Sequence, residues 1–99
     1  MANLLPIGSV VSFADSPQKY MIYGRLKQTA ESGYVYDYVA CPHPWGQTSE
    51  EHDVVFDNER IDRLYLTGYQ DIEELAFRAD IERQYDVIKS GAQYTRKNN

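Results

Sequence analysis

Cys41 is the only cysteine in 99 residues, so no internal disulfide can form, and a zinc site built from cysteine pairs is excluded. Basic residues are also scarce. Ten Lys and Arg face fifteen Asp and Glu, a formal net charge of −5. A nucleic-acid surface must neutralise phosphates and an anionic membrane surface needs the same cations, so both partners are disfavoured. The one basic cluster, Arg96-Lys97, is too small to alter that balance. No apolar run approaches the ~20 residues that span a bilayer. The start, Met1-Ala2-Asn3-Leu4-Leu5-Pro6, has neither a charged n-region nor an apolar h-region, so the expected location is cytoplasmic. A glycine-rich phosphate loop is missing as well. Gly24, Gly33 and Gly46 are isolated and fit a strand kink and two turns. There are no internal repeats and no low-complexity segments.

What is present is tyrosine, nine of them, a residue that suits both half-buried sheet surfaces and binding faces. At 42% hydrophobic and 25% charged, the composition is that of one folded domain over residues 1–99. Short β-branched and aromatic runs separated by turn residues predict strands at residues 7–13, 20–27, 34–41, 54–56 and 63–69. In the third, Tyr34, Tyr36 and Tyr38 alternate with Val35, Asp37 and Val39, which places a row of tyrosines on one face. The loop Pro42-His43-Pro44-Trp45-Gly46-Gln47 should end that strand, because two prolines and a glycine cannot continue a ladder. From Asp71 the period changes to that of a helix. Asp71 is a good N-cap, Glu73 and Glu74 suit the positive helix end, and Gly91 is a C-terminal stop, which gives a helix over residues 71–90. Residues 92–99 read as a frayed tail. The predicted fold is α+β: about five short antiparallel strands over residues 5–69, forming a curved sheet or a small SH3-like barrel, followed by one C-terminal helix.

That helix carries two apolar stripes rather than one. At about 100° per residue, Ile72, Leu75, Ala76 and Ala79 fall on one side and Phe77, Ile81, Tyr85 and Ile88 on nearly the opposite side. Either the helix bends so that both reach one core, or one stripe meets a second chain, a copy of this protein or another partner.

Residues that could carry chemistry are few. Cys41, His43 and His52 could begin a zinc site but lack matching pairs. A Cys41–His43 nucleophile pair has no helix N-terminus beside the thiol to activate it. The acids Glu50-Glu51-Asp53, Asp57-Glu59 and Glu73-Glu74 lie in polar turns or at a helix start, where solvation and dipole matching explain them. Neither a catalytic residue, a metal ligand nor a cofactor is therefore predicted, and the expectation is a protein that binds and does not catalyse. Trp45, in its Pro-Gly loop, is either a lid over the core or an exposed anchor of the kind that dominates binding energy. The tyrosine row poses the same choice.

Several segments together form a recognisable pattern: Leu4-Leu5-Pro6-Ile7-Gly8-Ser9-Val10-Val11, then Met21-Ile22-Tyr23-Gly24-Arg25, then Tyr36-Asp37-Tyr38-Val39-Ala40-Cys41-Pro42 with Pro44 and Gly46, and Ile61-Asp62 through Gly68-Tyr69. Over about residues 4–80 the chain resembles an uncharacterised family of Gram-positive bacteria catalogued as domain of unknown function 4176. His43 and Trp45 stand where that family often has an aromatic and an acid. The resemblance implies a gene neighbourhood of type VII secretion genes and LXG-type toxins, and a role as a cytoplasmic accessory protein or chaperone for such a toxin. It supplies no catalytic residues. An immunity protein that blocks a toxin domain is the alternative, since acidic charge suits a basic nuclease. A small Cys/His-based or metal-dependent enzyme is the remote one. The predicted contact surface for a protein partner, or for a homodimer through the helix, is Trp45, Tyr34, Tyr36, Tyr38, Phe77, Ile81, Tyr85 and Ile88.

Overall fold

A computed structural model describes residues 3–91; the tail expected over 92–99 lies outside them. Five antiparallel strands form one sheet: β1 (Val10–Phe13), β2 (Ser16–Gln28), β3 (Val35–His43), β4 (Val54–Phe56) and β5 (Ile61–Leu66). Their order is β4-β3-β2-β1-β5. Among the described residues no ladder joins β4 to β5, so the sheet is curved but open and the barrel does not close. Two 3-10 turns, Glu50–His52 and Asn58–Arg60, flank β4.

The strands match the predicted number but not all the predicted ends. Ser16-Pro17, which lies between the first two predicted strands, already belongs to β2, and a two-residue turn at Ala14-Asp15 reverses the chain. Pro17 is tolerated because the β1–β2 register slips between Ser12 and Phe13, where a bulge needs no ladder donor. β3 likewise continues through Pro42, opposite Tyr20, to His43. β4 pairs β3 only from Tyr38 to Ala40, so at Pro42 one side of β3 faces no strand and a missing N–H is accommodated. β5 ends at Leu66 rather than running to residue 69. Gly24 lies in a second register slip, against Val39; a Cβ there would come within 2.6 Å of Val39 Cγ1, so the strands can approach this closely only at glycine.

The helix starts where cap chemistry places it. Asp71 accepts from the Glu74 N–H at 2.8 Å, opening α1 (Ile72–Arg83). One helix to residue 90 was expected; instead the path breaks at Gln84 and resumes as α2 (Tyr85–Lys89), after which Gly91 turns at φ 104°. The core lies between the sheet and α1, built from Leu4, Val11, Phe13, Ile22, Tyr38, Ala40, Phe56 and Ile81. Residues 4–5 run between the two layers. Their backbone groups meet side chains from both: Leu4 N–H donates to Glu82 Oε2 at 2.9 Å, Leu5 N–H to Tyr38 Oη at 2.8 Å, and Arg25 Nη1 donates to Leu5 O at 3.3 Å. Arg25 also meets Glu74 at 2.6 Å, an ion pair with both side chains largely buried that ties β2 to α1.

Candidate functional site

The two helical stripes have different fates. Ile81 and Ile88 are buried and Tyr85 is partly buried, all on the side facing the sheet. Ile72, Leu75, Ala76 and Ala79 face outward, with Ile72 85% exposed. Half of the predicted helical contact surface is therefore corrected. Ile81 and Ile88 are core residues, because the sheet offers the larger apolar surface to whichever stripe reaches it. Phe77 stays 45% exposed, with the buried Arg25 guanidinium 5.5 Å from its ring centre.

The tyrosine row divides in the same way. Tyr38, opposite Phe56 of β4, is fully buried and donates to Asn58 Oδ1 at 2.6 Å, so it offers nothing to a partner. Burial first of all pushes its hydroxyl up to about 12. Tyr36 is half-buried and Tyr34 exposed, packed edge to face at 4.7 Å beyond the end of β4.

Beside them lies a buried polar cluster that sequence reading missed. Asp37 is fully buried and its Oδ1 accepts from Tyr85 Oη at 2.7 Å and Lys89 Nζ at 3.2 Å, while Oδ2 accepts from the Asn58 N–H at 2.9 Å. Asp57 Oδ1 accepts from Lys89 Nζ at 2.7 Å and from the Asp37 N–H at 2.9 Å; its Oδ2 accepts from Tyr34 Oη at 2.8 Å. Burial alone would raise the Asp57 carboxyl, but the donors, Lys89 foremost, outweigh it and hold it below the usual range. Burial would lower Lys89, and the two carboxylates raise it instead. Every named group has a partner, and through Tyr85 and Lys89 the cluster latches α2 to β3 and to Asp57. An Asp with a Lys 52 positions away carries no local signal.

Trp45 is not a lid over the core: it is 67% exposed. It borders a cleft of about 570 Å³ whose apolar lining is Tyr20, Pro42, Trp45 and Val54. Glu51, His52 and Asp53 line it too, and no lysine or arginine does. Asp53 Oδ2 accepts from Tyr23 Oη at 2.6 Å and from Gln47 Nε2. Asp53 Oδ1 is buried without a hydrogen-bond partner. The Tyr23 hydroxyl is pushed up to about 12, by burial first and then by its bond to Asp53 and that carboxylate's charge.

Cys41 is buried and its Sγ–H points to Met21 O at 3.7 Å; burial, then the Asp53 charge, push its thiol up, the wrong direction for a nucleophile. His43 and His52 are exposed, and His52 Nδ1 bonds Thr48 Oγ1 at 3.1 Å. Among the described residues no group of three or more His, Cys, Asp or Glu is placed to hold a metal ion.

A further surface went unread in the sequence. β5 is the last strand of the sheet, and Leu64, Tyr65 and Leu66 on it are exposed, followed along the chain by Tyr69 at 79% and by Ile72 and Leu75. Alternation on β5 suggests one buried face; strand order leaves it at an edge.

The family model described as Domain of unknown function (DUF4176) matches residues 4–77. The chain belongs to the DUF4176 family. The matched segment of this DUF4176 protein holds the whole sheet, the Trp45 cleft and the first half of α1, while α2 and Lys89 lie beyond it. No curated protein and no solved structure matches the chain.

Proposed function

We propose that this DUF4176 protein is a non-enzymatic binding factor that holds another protein, in the manner of a cytoplasmic chaperone or adaptor for a type VII-secreted toxin. The observation that carries the reading is the set of exposed apolar side chains Leu64, Tyr65 and Leu66 on an edge strand, with Ile72 and Leu75 on the outward side of α1. An open edge presents unpaired backbone donors and acceptors, and apolar side chains beside it add affinity, which is how sheets and helices take up a second chain. The toxin as occupant rests on the family resemblance, with the acidic charge as support. No helix among the described residues is long and apolar enough to cross a membrane.

The test is co-expression with the toxin encoded beside the gene, split into targeting region and toxin domain. A chaperone co-purifies with the targeting region and survives loss of the toxin domain. Failure to co-purify with either part sinks the reading. Glu51 and Asp53 beside Trp45 favour immunity as the second reading, since they suit a basic toxin domain. In that case binding needs the toxin domain, and expression of this protein rescues growth.

A further inference from the structure

We infer that the cleft beside Trp45 receives an arginine side chain of the partner protein. This rests on the protein-binding reading above and adds the chemistry that the partner must present. Three independent features converge. The cleft, at about 570 Å³, falls within the roughly 300–1,000 Å³ of ordinary ligand pockets. Its apolar lining of Tyr20, Pro42, Trp45 and Val54 matches a long aliphatic stem, and the exposed Trp45 ring offers the π-face that attracts a cation best. Its acids are not ion-paired: among the described residues neither Glu51 nor Asp53 has a salt bridge, the donors to Asp53, Tyr23 and Gln47, are neutral, and His52, which shares the lining, bonds Thr48.

Glu51, on the exposed rim of the cleft, is the carboxylate a partner's cation meets first, with Asp53 in the lining beside it. A guanidinium supplies several donors in one plane and stacks on an aromatic ring, which an ammonium does less well. A nucleic acid or an acidic peptide would meet two carboxylates of its own sign.

Trp45 is the only tryptophan, so the site reports on itself. Isotope-labelled protein is titrated with N-acetyl-arginine amide, and with the citrulline, lysine and glutamate analogues. Saturable shifts of the Trp45 indole and the Val54 amide are expected with arginine, weaker ones with lysine, and none with neutral citrulline or with glutamate. Glu51→Gln, on an exposed residue, and Asp53→Asn should each weaken arginine binding about tenfold, the scale of one lost charge-assisted contact; a thermal melt shows that each variant is folded. Equal shifts with citrulline, or arginine binding unchanged in both variants, would overturn the inference. The toxin co-purification, repeated with Trp45→Ala and Glu51→Gln, separates the two readings. A complex that forms but ignores both variants overturns this inference and leaves the proposed function standing. No complex at all, with arginine still saturating the cleft, overturns the proposed function and keeps the arginine site.

Discussion

Asp37 accepts from two side-chain donors and a backbone amide at once. Asp37→Ala leaves the Tyr85 hydroxyl and the Asn58 N–H without their acceptor and leaves the Lys89 ammonium with Asp57 alone. Removing one partner of a buried pair costs about 3–5 kcal/mol, so urea denaturation should show a loss of that order, with α2 the first element to exchange its amides. The same corner sets an acid dependence. The Asp57 carboxyl is lowered on folding, so its contribution is fully present above its unfolded value of 3.8 and is lost as pH falls through the lower folded value. Lys89 is raised, so it stays charged over that whole range, and its share is lost only far into the alkaline range. Lys89→Met should therefore destabilise most above pH 3.8, and its deficit against the wild type should shrink on further acidification. A deficit that is flat with pH in denaturation curves would contradict the pairing.

At the scale of elements, α1 separates stability from binding. Ile81 is 3% exposed and lies in the core, so Ile81→Ala should cost about 2–5 kcal/mol. Leu75 points outward, so Leu75→Glu should change stability by no more than about 0.5 kcal/mol while reducing recovery of the toxin complex. Denaturation midpoints and co-purification measured on the same two variants check this split, and the opposite pattern would mean the stripes are assigned the wrong way round. The presence of two stripes was legible from helical spacing. Which one meets the sheet was not, because both are apolar and the choice depends on how residues 66–71 deliver the helix onto the sheet and on the turn at Gln84. The same limit applies to β5, whose alternation of Leu64 and Leu66 with Tyr65 reads like any half-buried strand until its place at the edge is known.

At the scale of the whole molecule, the formal charge is −5 and Glu51 and Asp53 line the Trp45 cleft, so association with a basic partner should be steered electrostatically. The association rate measured by stopped flow should fall by about tenfold or more as salt is raised from low to physiological levels, where the screening length shrinks to about 8 Å. A rate indifferent to salt would assign recognition to the apolar edge alone. By itself the sequence determined the number of strands, the antiparallel α+β class, the helix start at Asp71 and the stop at Gly91, because turn residues, alternation and caps act between neighbours a few positions apart. Only the tertiary structure decided that the sheet stays open with β5 at its edge, that Tyr38 and Ile81 are core while Trp45 and Leu75 are surface, and that Asp37 finds Lys89. Each of these depends on which distant segments pair and pack, a choice made by the summed burial of the whole chain and not written into any local period.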